Sequence, residues 1–181
     1  IAYLAEHADR EDRLITFSRD LERLAAAMMV TRANINVRLE RYGRLLAEIR
    51  DGADLTHPDS AMQLSEQERA DVISALDDDV YLVWRIRKYV LLRLDCALSE
   101  GTARYDYRTL SIEHVLPQSP REDSQWLVWF PTQEIQEQYL HRLCNLVLLS
   151  RRKNSKAKNY EFDVKKERYF TTDDGGSPFV L

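Results

Sequence analysis

Apolar positions repeat at helical spacing through the first hundred residues, and the texture changes after Gly101. A Leu-, Ala-, Arg- and Glu-rich stretch from Asp9 to about Val30 predicts a first helix. A second, from about Ala33 to Arg50, carries the stripe Ile35, Leu39, Tyr42, Leu45, Leu46 and Ile49. Gly52 stands where a helix stop is expected. Asp51 to Ala61, which holds Gly52 and Pro58, reads as a loop. Ser65 and Glu68 form a capping box that opens a third helix through Leu76. Asp77, Asp78 and Asp79 put negative charge at the start of a fourth helix running to about Ser99. Its apolar face is broad: Val80, Val83, Trp84, Val90, Leu91, Leu94 and Leu98.

Beyond Gly101 the elements shorten. Thr109 to Leu116 reads TLSIEHVL, a strand ended by Pro117. Pro131 to Arg142 predicts a Gln- and Glu-rich helix, and Leu143 to Ser150 a second apolar strand. A Lys- and Arg-rich stretch follows and turns helical by Tyr160. The predicted fold class is mainly α. A helical bundle spans 1–101, a strand–helix–strand–helix core spans 102–170, and a loose tail with Gly175, Gly176 and Pro178 spans 171–181. No internal repeat or low-complexity segment is present.

Composition narrows the class. Hydrophobic residues make up 44% of the chain, enough for a core, and Gly and Pro number only five each, which disfavours a turn-rich β protein. Neither a secretory stretch nor an apolar run of spanning length is visible, so a soluble, cytoplasmic piece of a longer protein is expected, with no membrane partner. Cys96 and Cys144 have no CxxC partner, which excludes a Cys-rich zinc site and gives no disulfide framework. The net charge of −4 at first argues against nucleic acid. Between Arg151 and Arg168, however, eight Lys or Arg face three Asp or Glu, a net of +5 that leaves −9 on the rest. Such a local patch attracts phosphate, although a basic run alone is more often a solvated helix face.

Chemistry first appears at Glu113 and His114, adjacent at the end of the first predicted strand. Successive strand residues point to opposite faces, so the two serve one site only if the strand end bends or is bordered on both sides. Asn145 opens the second strand, and Asn154 follows nine residues later in the basic segment. Histidine is the side chain best suited to a general base near neutral pH. A carboxylate with an amide oxygen is a sufficient protein share of a Mg²⁺ shell otherwise filled by water and phosphate.

The three blocks EHVLPQS, CNLVLLS and RRKNSKAK, in that order, resemble the C-terminal nuclease domain of GmrSD-type modification-dependent restriction enzymes and of related phosphorothioate-sensing phage-defence nucleases. They are also similar to the HNH domain of the RNA-guided CRISPR nuclease. The resemblance covers about Leu110 to Phe170, with RKYVLLRLD fitting more loosely upstream. It implies a ββα-metal (HNH, His-Me finger) core: two antiparallel strands and a helix around one Mg²⁺, with Mn²⁺ an open alternative. His114 matches the general base, Glu113 and Asn154 the metal ligands, and Asn145 the asparagine that fixes the loop and orients the histidine. The implied reaction is phosphodiester hydrolysis in DNA, with Arg151, Arg152, Lys153, Lys156 and Lys158 on the phosphate backbone. Cys144 stands where relatives have glycine, so a positive φ there would strain the turn.

The same resemblance implies an upstream NTPase-like, modification-sensing domain; no nucleotide motif is visible in this chain. The apolar face around Trp84 and Leu91 suggests a possible homodimer. An RNase with the same site and a non-catalytic nucleic-acid-binding module are the other two function classes. Among the remaining candidates, His141 is expected to pin a turn, and His7 and His57 to be incidental. Trp126, Trp129, Tyr160, Phe162 and Tyr169 are expected to fill or anchor the core rather than stack on bases. Lys165 and Lys166 extend the DNA track or solvate their helix.

Overall fold

A computed structural model describes residues 2–99, 110–151, 154, 159–170 and 179. The chain separates into two compact units, Ile1–Ala75 and Leu76–Leu181. It is mainly helical, with one two-stranded sheet among the described residues. No helix among them is long and apolar enough to cross a membrane.

The first unit holds α1 (Ala2–Glu6), α2 (Glu11–Val30), α3 (Ile35–Arg50) and α4 (Glu66–Leu76, which crosses the boundary). Its core joins Leu24 and Met28 of α2 to Leu45 and Ile49 of α3 and to Ala61 and Met62 of the connecting loop. The stripe predicted on α3 is therefore only partly a packing face: Ile35 and Leu39 are more than 60% exposed. Asn34 caps α3 by accepting from the Asn36 and Val37 N–H groups, and Gly52 follows its end at φ +65°, as a helix stop requires. The Ser65–Glu68 capping box forms reciprocally at 3.2 and 2.8 Å. The loop expected over Asp51–Ala61 is tied down by α3. Glu48 accepts from Ser60 Oγ and Ala61 N, while Arg41 donates to Ala61 O.

The second unit begins with a 3-10 turn (Val80–Leu82) and α5 (Trp84–Leu98), where the sequence suggested one continuous helix. The strands are β1 (Leu110–His114) and β2 (Leu146–Ser150), with α6 (Gln125–Trp129), α7 (Gln133–Leu140) and a 3-10 turn (Leu143–Asn145) between them. The inserted helix expected from Pro131 to Arg142 is α7, slightly shorter at both ends, and α6 is an additional short helix upstream of it. A final helix, α8 (Phe162–Phe170), follows the basic segment. β1 and β2 pair antiparallel, with His114 opposite Leu146 and Leu110 opposite Ser150.

Alternation along β1 sends Leu110 and Ile112 into a core with Leu91 of α5 and with Leu146 and Leu148 of β2. Phe179 lies buried in that core, so the tail expected to be loose contributes at least one packed side chain. Leu91 is 0% exposed and Trp84 69%, so Leu91 drops out of the suggested dimer face. Its exposed apolar members are Trp84, Leu94 and Leu98.

Candidate active site

β1 ends at His114, which is 95% removed from solvent because its ring enters the apolar side of the sheet. There Tyr81 meets it edge-on at 4.2 Å between ring centroids, and His141 lies 5.6 Å away. Tyr81 stacks on His141 at 5.4 Å, donates its backbone N–H to His141 O, and carries the Arg87 guanidinium over its ring at 4.5 Å. The Nδ1 of His114 is 3.1 Å from Gln118 Nε2, and its Nε2 is buried with no hydrogen-bond partner among the described residues. Burial, reinforced by electrostatic repulsion from His141, Lys165 and Arg87, lowers the His114 pKa from 6.5 to about 4. The imidazole is therefore neutral at physiological pH, the state in which it can accept a proton.

The loop after β1 is clamped by Asn145. Its Oδ1 accepts from Leu116 N at 2.6 Å, and its Nδ2 donates to Leu116 O and Leu140 O. Its own carbonyl accepts from Val115 N. The side chain is buried at 5% exposure, and every bond runs to backbone flanking His114 or to the end of α7. This is the geometry of a loop-fixing group. Arg32 is the non-glycine residue with a positive φ among those described, so the backbone at Cys144 has none of the strain considered for it.

Glu113 occupies the opposite face of β1. Its Oε1 accepts from Lys165 Nζ at 2.7 Å, and the same ammonium donates to His114 O at 2.6 Å. Lys165 comes from α8 and is fully buried, so the expected roles on a DNA track or a solvated face are overturned. Burial lowers its pKa, while the Glu113 hydrogen bond and charge oppose that shift. Asn154 reaches the same face: its Nδ2 donates to Ser111 Oγ and, at 3.0 Å, to Ile112 O. Ser111 and Glu113 are two apart on the strand, which puts Asn154 and Glu113 on one side of the sheet and the His114 ring on the other. The Glu-His pair thus diverges as strand alternation predicts, with each face lined by its own neighbours.

No group of three or more His, Cys, Asp or Glu converges among the described residues. What the Glu113 face offers is one carboxylate and one carboxamide, hard oxygen donors suited to an ion that keeps most of its shell as water and phosphate. A positive charge is already accommodated against the carboxylate in the form of the Lys165 ammonium. The donor types therefore fit a hard divalent cation, while the carboxylate charge is balanced here by Lys165. Of the basic residues expected on DNA, Arg151 is exposed, while Arg152, Lys153, Lys156 and Lys158 lie outside the described residues.

Tyr81, Arg87, Gln118 and Lys165 were not among the residues singled out from sequence for the site. Lys165 sits beside Lys166 in a basic stretch, and no local signal in the sequence marks it as the inward lysine. His141 uses its carbonyl, not its ring, to hold the turn; its Nδ1 is buried without a partner among the described residues. Trp126 is buried and donates to Tyr160 O, as expected of a core residue, whereas Trp129 is 46% exposed. Both line an apolar cavity of about 660 Å³ with Phe130, Tyr139, Phe162 and Asn145. In the first unit, His57 is exposed as expected, and His7 packs edge-on against Tyr3.

A family model matches residues 68–181 and is described as GmrSD restriction endonucleases, C-terminal domain. The chain belongs to that family, and with it comes a restriction-endonuclease type of nuclease role. The match takes in all of the second unit and residues 68–75 of the first, and includes α5, well upstream of the three motif blocks. No curated protein matches the chain, and no solved structure does.

Proposed function

We propose that the chain is a Mg²⁺-dependent DNA endonuclease of the HNH type, acting in a restriction or phage-defence system with His114 as general base. The observation that carries this reading is the buried, neutral His114, whose Nε2 has no partner in the described protein while Asn145 holds the loop beneath it. The carboxamide of Gln118 serves as orienter when its oxygen, rather than its nitrogen, faces the ring, since the two ends exchange by a half-turn. Nδ1–H then donates to Gln118, and Nε2 keeps the lone pair that takes the proton from an attacking water. Water oxygen bonds to phosphorus, the bond from phosphorus to the 3′ oxygen breaks, and the products are a 3′-hydroxyl and a 5′-phosphate.

Glu113 and Asn154 would hold the divalent ion; when bound, it supplies charge neutralisation at the phosphate and at the leaving oxygen. Mn²⁺ is the natural substitute to try. Arg151, Arg152, Lys153, Lys156 and Lys158 would grip the DNA backbone without reading sequence. The first hundred residues would support this core, linking it to an upstream NTPase-like domain in a cytoplasmic enzyme. Trp84, Leu94 and Leu98 offer a face for a homodimer.

Plasmid nicking with Mg²⁺, run beside His114→Ala, Asn145→Ala and an RNA substrate, tests the proposal. Relaxed plasmid from the parent protein and none from His114→Ala is the expected outcome. RNA degradation with intact plasmid would move the site to an RNase. Binding without cleavage of either substrate would leave a nucleic-acid-binding module.

A further inference from the structure

Lys165 is the one fully buried basic side chain among the described residues, and its ammonium touches the carboxylate proposed to hold the metal. It also donates to the carbonyl of His114, so it bridges both residues of the Glu-His pair from behind. A charged group is costly to bury without a partner, and Lys165 is held by one carboxylate and one carbonyl. Asn154 reaches the same strand face two residues away, at Ser111. A divalent ion that engaged Glu113 would thus arrive where a positive charge already sits.

We propose that Lys165 is a tethered cation that occupies the metal position in the ion-free protein and is released when a divalent ion binds. The inference rests on the assignment of Glu113 to metal binding. Loading is then an exchange of one cation for another. The ammonium keeps the Glu113 carboxylate compensated in the empty site and weakens the apparent affinity for the ion. Two positive charges within a few ångströms repel strongly where water is scarce. Without the lysine, that repulsion is removed.

The test uses Mn²⁺ as probe on the 181-residue chain, with binding followed by electron paramagnetic resonance of the free ion. Lys165→Met is expected to bind Mn²⁺ about tenfold or more tightly than the parent, and Lys165→Arg close to the parent. In parallel, the parent protein is treated with an amine-acetylating reagent and digested with a Glu-specific protease for mass spectrometry. Lys165 is expected to resist acetylation without metal and to be labelled at saturating Mn²⁺. This second measurement decides the matter if Lys165→Met does not fold. Mn²⁺ binding with unchanged affinity in Lys165→Met, or with Lys165 protected throughout, overturns the exchange while leaving the metal site standing. Absence of Mn²⁺ binding in parent and variants alike removes the metal reading itself, and the exchange with it.

Discussion

The two units spend their interiors differently. In the first, Ser60 is the one buried polar side chain among the described residues; in the second there are five: Asp95, His114, Ser124, Asn145 and Lys165. The first unit reads as standard helix chemistry, with a capping Asn, a capping box and a glycine stop, and its polar groups tie a loop to a helix. In the second, three of the five buried polar groups act within a few ångströms of the end of β1. Burying polar and charged groups works against stability unless each is satisfied, so their concentration marks where a fold serves something besides itself. The family match, which begins at residue 68 and runs to the end of the chain, covers the unit that bears this burden.

The largest expected effect that sharpens the contrast is on His114→Ala. If the imidazole is the base, plasmid nicking falls about 10³-fold while circular dichroism is unchanged. Cleavage equal to the parent would falsify that role. Asn145→Ala comes next. It strips the amide and carbonyl of Leu116 and the carbonyl of Leu140 of their partner, and an unsatisfied buried group costs about 1–3 kcal/mol each. A loss of about 4 kcal/mol in urea unfolding is expected, with cleavage reduced as well. A loss below about 1 kcal/mol would show that the loop does not depend on this clamp.

His114 also sets a pH signature for the second unit. Its folded pKa of about 4 lies below the ordinary 6.5, so the unfolded chain binds the proton more readily. The associated stability is full above pH 6.5, drains as pH falls toward 4, and is gone below that. The swing is about 3 kcal/mol at most. It is read as the difference in urea midpoints between the parent and His114→Gln at pH 7 and pH 4.5, and parallel curves for the two would remove it. The smallest effect belongs to the first unit: Ser65→Ala should cost about 1 kcal/mol by loss of the cap and leave nicking unchanged. A drop in nicking there would mean that the units are not as separate in role as their interiors suggest.

The sequence by itself determined the elements and the ingredients. Helical periodicity and capping pairs located α2, α3 and α4 to within a few residues, because these signals are local and act within a turn or two of helix. Three short blocks named the motif residues before any fold was known. Tertiary structure alone decided how these residues meet. Strand alternation sends His114 and Glu113 to opposite faces, and only the packing of Tyr81 and His141 on one side and α8 on the other turns both faces into lined environments. Lys165 looked like one more charge in a basic stretch, yet it is buried against partners 51 and 52 residues earlier in the chain. Phe179, in a tail expected to be loose, closes a core that includes Leu91 and Leu110. Periodicity reports which way a side chain faces along its own element; what it faces depends on contacts distant in sequence, and those are set by packing.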